Sequence, residues 1–243
     1  MVNLQAYDLL AWFYNKYWTI HAPELFADVL DEYFLPSLPE NADILDLCCG
    51  TGQICAKLSA DGYKVTGLDI SEKMLNIAAV NAPSAEFVHA DARYFILTEK
   101  FDAVFSMFDS INHMLSLDDL LLCFESVKQA LKPGGLFLFD VNDAEVFSEI
   151  WENGFTMVED DNICIMKPVF EPESGLAVYS ITMLNAEGNL WYRKDATVYE
   201  QCHSPEEITK TLYKAGFSNI RVLEGEEDLG VSAFKGRIFF AAS

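Results

Sequence analysis

Hydrophobic positions along the first 40 residues follow a helical period. Apolar and aromatic side chains recur at spacings of three and four, which predicts a helix. These side chains are Leu9, Leu10, Phe13, Tyr14, Tyr17 and Trp18. A second helix is predicted over residues 23–34, because Pro23 suits a first helical position and Pro36 ends the pattern.

From Asp43 onward, short apolar runs alternate with amphipathic stretches. The apolar runs predict strands at residues 44–47, 63–69, 86–90, 101–107 and 136–141. The amphipathic stretches predict helices at residues 53–60, 71–81 and 117–131, with Ser71 as an N-cap. This alternation predicts an α/β fold whose parallel sheet is covered on both faces and joined by right-handed crossovers.

The alternation stops after residue 154. Strands are predicted at 163–170, 176–184 and 190–200, separated by turn-forming segments at 172–175 and 185–189. Ser204 and Pro205 then begin a helix that ends near Gly216, and strands follow at 220–223 and 238–241. We therefore predict one α/β domain, residues 1–154 and 202–243, with an antiparallel meander inserted at 155–201.

The composition indicates a single globular domain, and the net charge disfavours some classes of binding partner. The 243 residues are 51% hydrophobic, enough for one domain with a substantial core. The formal net charge is −22, which disfavours nucleic acid or an anionic membrane as a partner because both select basic surfaces.

The cysteines and the apolar segments indicate the compartment. Six cysteines occur without a C-x-x-C pair or a Cys/His ligand spacing, so neither a metal site nor a disulfide framework is expected. No basic-then-apolar leader opens the sequence, and no apolar run reaches the roughly 18 residues of a membrane span. We expect a soluble, cytoplasmic protein.

A glycine-containing turn follows the first predicted strand. Residues 46–52 place Gly50 and Gly52 between this strand and a helix, where the backbone can approach a ligand closely. Asp69 ends the second strand and can accept hydrogen bonds from ribose hydroxyls, while Asp91 follows the third strand near a bound adenine. The alternatives are a plain turn for the glycines and an N-cap for Asp91.

Two adenosine-containing ligands suit this turn: a dinucleotide and S-adenosylmethionine. A dinucleotide turn needs a third small residue, but Cys55 occupies that position. Asp46 would also repel a pyrophosphate, whereas its carboxylate can accept a hydrogen bond from an α-ammonium group. The turn therefore favours an amino-acid tail over a diphosphate.

The sequence resembles the class I S-adenosylmethionine-dependent methyltransferases that act on small molecules. The resemblance rests on residues 44–52, 67–71, 90–92, 101–104 and 131–135. It implies a Rossmann-like seven-stranded sheet of order 3-2-1-4-5-7-6, with strand 7 antiparallel. One departure is Cys48, which stands where the family usually has glycine.

The resemblance also implies roles for individual residues. Gly50 and Gly52 would border the methionine portion of the cofactor, and Asp46 would hold its ammonium group. Asp69 would bind the ribose, while Asp91 and the Ala92 amide would bind the adenine. Further cofactor-binding candidates are Tyr14, Ile70, Met74 and Met107, although Tyr14 and Met74 also fit ordinary helix core.

The segment after the fourth strand would border the transferable methyl group. Asp109 and His113 are candidate bases or orienting groups, and Asn112 is a candidate acceptor-binding residue. The alternative for His113 is a hydrogen bond to nearby backbone, and the alternative for Asn112 is a cap on the following helix. Trp18 and Arg193 are further acceptor-binding candidates. The alternative for Trp18 is ordinary core packing, and the alternative for Arg193 is a solvated charge.

These residues predict methyl transfer from S-adenosylmethionine to a small-molecule acceptor by in-line displacement. Two alternatives remain open from the sequence. One is a dinucleotide-dependent oxidoreductase, and the other is a module that binds an adenosyl ligand without turnover. No metal is expected at the site.

Overall fold

The computed structural model describes residues 4–18, 26, 29–150, 153–159 and 161–243. The chain begins with helix α1, Leu4–Phe13, which continues into a wider turn over Tyr14–Trp18. The second predicted helix, residues 23–34, lies partly outside the described residues. Its described end, Leu30–Phe34, is a π-helical turn that packs into the core.

Eleven strands are present in the described part of the chain, and they form two sheets. Their bounds are β1 Asp43–Leu47, β2 Lys64–Asp69, β3 Glu86–His89, β4 Phe101–Ser106, β5 Leu131–Asn142, β6 Phe155–Glu159, β7 Asn162–Glu171, β8 Leu176–Glu187, β9 Leu190–Gln201, β10 Arg221–Glu224 and β11 Arg237–Ala242. The larger sheet has the order β3-β2-β1-β4-β5-β11-β10. Strand β11 pairs antiparallel to both β5 and β10, so the predicted order and the reversed last strand are confirmed.

Four further α-helices in the described residues are α2 Gln53–Ala60, α3 Glu72–Asn81, α4 Leu117–Ala130 and α5 Pro205–Lys214. Serine side chains cap three of them. Ser71 accepts a hydrogen bond from the Met74 amide, as predicted, and Ser204 forms a reciprocal capping box with Glu207. Because each cap satisfies otherwise unpaired amides, it fixes where the helix begins.

The smaller sheet, β6-β7-β8-β9, is antiparallel throughout. The sequence predicted three of its strands, and β6 is an addition. Its inner face packs against α1, where Leu10 and Phe13 join one apolar cluster with Tyr179, Ile181 and neighbouring side chains. Helix α1 therefore lies between the smaller sheet and the carboxyl ends of the larger one, which is where the cavities open.

Strand β5 is longer than predicted. It begins at Leu131 instead of residue 136, and Leu131 pairs with Phe101 before a register shift resumes pairing at Ala103 with Leu136. The shift accommodates the Gly134–Gly135 turn, since Gly134 has a left-handed φ of 77°. Across the described residues, every helix is too short or too polar to cross a bilayer.

Candidate active site

A first cavity of about 100 Å³ opens at the carboxyl ends of β1 and β2. Its lining includes Asp69, Ile70, Met74, Asp91 and Ala92. Open parallel sheets bind ligands at this edge because strands end there and helices begin, which leaves amides and side chains free to converge. The structure thus brings four residues from two separate sequence motifs, together with Met74, to one cavity.

Asp69 is held rigidly at the floor of this cavity. One carboxylate oxygen accepts a hydrogen bond from the Gly50 amide at 2.9 Å, and the other accepts from the Ser71 amide at 2.8 Å. Burial raises the pKa of Asp69, while these amides partly offset the rise. A carboxylate offers about four acceptor positions. Its remaining lone pairs can accept hydrogen bonds from two adjacent hydroxyl groups of a ligand bound in the cavity.

Asp91 is tied to a neighbouring cation. The Arg93 guanidinium donates to both of its carboxylate oxygens and also bonds to Asp119 at 2.7 Å. Partial burial would raise the pKa of Asp91, but the hydrogen bonds from Arg93 lower it. Asp91 also accepts from the Arg93 amide, so it stabilises a local turn, and no helix starts here.

A narrow third cavity of about 30 Å³ continues from the first and shares Tyr14 and Gly50 with it. Asp46 and Met107 line this extension. The buried Asp46 carboxylate accepts a hydrogen bond from the Cys55 thiol at 3.1 Å, and burial raises its pKa to about 7. A carboxyl group titrating near neutrality in a narrow, buried extension is suited to a compact cationic group.

The backbone conformation of the glycine turn leaves space for a ligand beside Gly50. Gly50 has a left-handed φ of 53°, and a Cβ there would meet only the Tyr14 ring, at 3.7 Å. Cys48 is also left-handed, with φ at 61°, so the turn keeps the glycine-like conformation with a cysteine in place. Gly52 has a packing role instead, because a Cβ there would lie 2.9 Å from the Ala78 Cβ.

A second cavity, of about 260 Å³, adjoins the first. The two share Tyr7, Tyr14 and Phe108, which form the junction between them. Phe108 and Asp109 have consecutive left-handed φ values of 62° and 50° directly after β4. Two such residues in succession are unfavourable outside glycine and are found mainly where a site requires them.

One wall of the second cavity carries a buried ion cluster. The Arg237 guanidinium bonds to Asp109 at 3.0 Å and also to Asp140. The Asp109 amide donates to Asp140 at 3.0 Å, which links both aspartates to one cation. Burial alone would lower the pKa of Arg237, but the two carboxylates raise it. This cluster holds the strained turn after β4 in place.

His113 lies at the boundary between the two cavities. Its Nδ1 lies 2.9 Å from the Tyr199 carbonyl and therefore donates, which leaves Nε2 to accept from the Tyr7 hydroxyl at 2.7 Å. Burial lowers the pKa of His113, so the ring is neutral near pH 7. Glu200 approaches the same Nε2 at 4.0 Å, and burial raises the pKa of this carboxyl group.

Most of the predicted site residues line one of these cavities. The structure places twelve of them there: Tyr14, Trp18, Asp46, Gly50, Asp69, Ile70, Met74, Asp91, Ala92, Met107, Asp109 and His113. Three others lie elsewhere. Besides Gly52, they are Asn112, whose amide bonds to backbone groups of Asn142 and Gln201, and Arg193, which is exposed and paired with Asp195.

Sequence reasoning did not select Phe108, Asp140, Tyr179, Glu200 or Arg237 as site residues. A signal was available for two of the acids. Asp140 lies inside an apolar run, and Glu200 shares the face of β9 that carries Ala196 and Val198. A charged side chain on an apolar face is informative, because charged residues are seldom fully buried unless they have a partner.

Comparisons with known proteins agree with this geometry. A family profile described as "Methyltransferase domain" matches residues 44–135. YqeM of Bacillus subtilis, provisionally named a methyltransferase, is 33% identical over 227 residues, which is 91% of each chain. An N,N-dimethyltransferase of Streptomyces venezuelae, named for a dTDP-linked amino sugar, is 34% identical over 42% of this chain and 43% of its own.

The fold is also found among solved structures. An S-adenosylmethionine-dependent methyltransferase from Clostridium acetobutylicum superposes with a TM-score of 0.78 at 26% identity, over 95% of this chain and 98% of that one. Both the sequence relatives and the shared architecture therefore point to the same group of enzymes. The chain belongs to the class I S-adenosylmethionine-dependent methyltransferases, with S-adenosylmethionine as its cofactor.

Proposed function

We propose that this enzyme transfers the methyl group of S-adenosylmethionine to a small-molecule acceptor in the second cavity by in-line displacement. The observation that carries the proposal is the junction at Tyr7, Tyr14 and Phe108, where the two cavities meet. A methyl group at this junction would face an acceptor directly. The second cavity, of about 260 Å³, has the size of a small-molecule site.

The first cavity and its narrow extension would hold the cofactor. Asp69 would accept hydrogen bonds from the ribose hydroxyls, since its amide partners already fix its orientation. Asp91 and Ala92 would border the adenine, with Ile70 and Met74 supplying apolar contacts. Asp46 would hold the ammonium group in the extension beside Gly50. Bound there, the cofactor supplies an electrophilic methyl group with a good leaving group.

Residues 155–201 would form a subdomain that covers the acceptor. Tyr179 and Val198 of the smaller sheet line the second cavity, and Trp18 packs edge-on against Phe155 at 4.8 Å between ring centres. A cavity roofed by a sheet excludes water from an acceptor, and it suits a compact substrate better than a polymer. The similarity to an amino-sugar methyltransferase supports a small-molecule acceptor.

His113 and Asp109 would position the reacting groups. Both nitrogens of His113 already have partners, so its ring orients Tyr7 at the junction. Asp109 is bound to Arg237 and therefore keeps the turn after β4 in its strained conformation. Methyl transfer requires mainly alignment of acceptor and methyl group together with exclusion of water, which this rigid arrangement provides.

Isotope transfer tests this proposal. The protein is incubated with methyl-labelled S-adenosylmethionine and either the small-molecule or the macromolecular fraction of a cell extract. We expect label in the small-molecule fraction, none with Asp69→Ala, and unchanged labelling with Asp118→Asn, whose side chain is exposed on α4. Label confined to protein or nucleic acid would contradict a small-molecule acceptor. Cofactor binding without labelling of either fraction would indicate a binding module.

A further inference from the structure

The second cavity contains a buried carboxyl group that has no cationic partner of its own in the described part of the chain. Glu200 is 6% exposed and lines the cavity on the apolar inner face of β9. Its Oε2 atom has no hydrogen-bond partner among the described residues. A buried polar atom without a partner is costly, and it commonly marks a position that a ligand completes.

The cations near Glu200 are already engaged. Arg237, which lines the same cavity, is bonded to Asp109 and Asp140. His113 faces Glu200 at 4.0 Å, but its Nε2 accepts from Tyr7 and its pKa is lowered by burial. Three carboxylates therefore face one permanently charged cation in the described part of this wall. Burial raises the pKa of Glu200, and a cationic group on the ligand would stabilise the ionised form of this side chain.

We propose that the second cavity accepts a primary or secondary amine, and that Glu200 binds the amine nitrogen and takes up its proton. The proposal deepens the proposed function and rests on it. An anionic acceptor is disfavoured by the same carboxylates, and a neutral alcohol would leave Glu200 uncompensated. The cavity walls also include Trp18 and Tyr179, whose aromatic faces favour a nearby cation and an apolar skeleton.

The transfer step balances with the groups present. An amine that arrives as an ammonium ion gives one proton to the Glu200 carboxylate, which frees the lone pair of the nitrogen. This lone pair forms the new N–C bond as the S–C bond breaks, and the electron pair of the broken bond stays on sulfur. The products are a methylated ammonium ion and S-adenosylhomocysteine, and the proton on Glu200 returns to solvent.

A matched pair of probes tests the proposal by binding. Cyclohexylamine and cyclohexanol have nearly the same shape, and each is titrated by calorimetry into full-length protein saturated with S-adenosylhomocysteine. We expect the amine to bind at least about tenfold more tightly, as a charge-assisted hydrogen bond would give. Equal affinity, tighter binding of the alcohol, or binding of neither would overturn the proposal.

Variants connect the preference to Glu200. Glu200→Gln keeps the shape of the side chain and should abolish the preference for the amine, whereas Glu200→Asp should retain part of it. Glu173→Gln, in an exposed turn, should keep the full preference. A preference that survives in Glu200→Gln would overturn the proposal. If Glu200→Gln does not fold by its melting profile, Glu200→Asp decides the test. A preference that is reduced in Glu200→Asp and kept in Glu173→Gln supports the role of Glu200. An unchanged preference in Glu200→Asp, or an equal reduction in both variants, would overturn the proposal.

A methyl-transfer assay tests the amine assignment independently of the proposed function. The wild-type protein is incubated with S-adenosylmethionine and a mixed panel of small amines and their alcohol counterparts, and methylated products are identified by mass. Methylated amines support both statements. Methylation of alcohols alone overturns the amine assignment and leaves the proposed function intact. Failure of S-adenosylhomocysteine to bind the first cavity would contradict the proposed function itself.

Discussion

The Tyr7 hydroxyl donates a hydrogen bond of 2.7 Å to Nε2 of His113, across 106 residues of sequence. This bond joins helix α1 to the turn after β4 at the junction of the two cavities. The two rings also meet edge to face, with centres 5.3 Å apart. The position of the N-terminal helix is therefore coupled directly to the segment that, under the proposed function, would border the transferable methyl group.

Removing this hydroxyl should weaken both the fold and the cofactor site. In Tyr7→Phe the buried Nε2 of His113 loses its donor, which should lower the free energy of unfolding by about 1–3 kcal/mol. The affinity for S-adenosylhomocysteine should fall as well, because Tyr7 lines the first cavity. Urea unfolding and calorimetry measure the two effects. Tyr213→Phe, on the exposed face of α5, is the control, and equal behaviour of both variants would contradict this account.

The ion cluster around Arg237 should stabilise the protein strongly only as an intact unit. Arg237→Met leaves Asp109 and Asp140 as buried, unpaired carboxylates, which should lower the free energy of unfolding by about 3–5 kcal/mol. The matched control is Arg193→Met, since Arg193 forms an exposed pair with Asp195 that should contribute little to the free energy of unfolding. Similar losses in the two variants, measured in urea, would be inconsistent with a buried cluster.

Burial of Asp46 predicts a specific dependence of stability on pH. Its pKa is raised to about 7, whereas an aspartate in an unfolded chain titrates near about 3.9. Between these values the folded protein retains a proton that the unfolded chain releases. The free energy of unfolding should therefore fall as pH rises from about 4 to about 7, by up to roughly 4 kcal/mol from this group.

Asp46→Asn should remove this contribution, so the variant should gain stability relative to the wild type as pH rises through that window. The affinity for S-adenosylhomocysteine should show the opposite trend. Between pH 5.5 and 7 it should rise by about tenfold in the wild type as Asp46 ionises, and it should stay nearly constant in Asp46→Asn. An equal pH slope of affinity in both proteins would argue against contact between Asp46 and the ammonium group.

Alanine substitutions at Gly52 and Gly62 distinguish the cost of backbone strain from the cost of a steric collision. Both have left-handed φ values, 83° and 95°, but a Cβ on Gly52 would collide with Ala78 while one on Gly62 would meet nothing within 4 Å. Gly62→Ala should cost about 1 kcal/mol from strain alone, and Gly52→Ala should cost about 2–4 kcal/mol because helices α2 and α3 must also separate. Equal losses in thermal unfolding would exclude the collision.

Local patterns were sufficient to predict the larger sheet. Most of its strands contain a short apolar run that a turn or a cap bounds, and the resemblance supplied the strand order. Strand β6 was harder to predict, because Thr156, Val158 and Glu159 are exposed and the segment has little periodicity. The three strands that were predicted there carry clearer alternation and glycine-containing turns.

The acceptor side of the site depends on contacts that no local pattern records. Arg237 meets Asp140 and Asp109 across 97 and 128 residues, and each charge taken alone resembles a solvated one. Asn112 shows the opposite case, because it was predicted to bind the acceptor but does not line a cavity. Its side-chain amide donates hydrogen bonds to the backbone carbonyls of Asn142 and Gln201. The residues that line the first cavity were easier to predict, because the turns that hold them are each encoded within a few positions.

A crystal structure with S-adenosylhomocysteine bound tests the central claim most directly. The account predicts that the ribose lies within hydrogen-bond distance of Asp69 and that the sulfur faces the junction of Tyr7, Tyr14 and Phe108, with the second cavity beyond it. A structure in which the ribose lies away from Asp69, or in which the adenosyl group fills the second cavity, would contradict it.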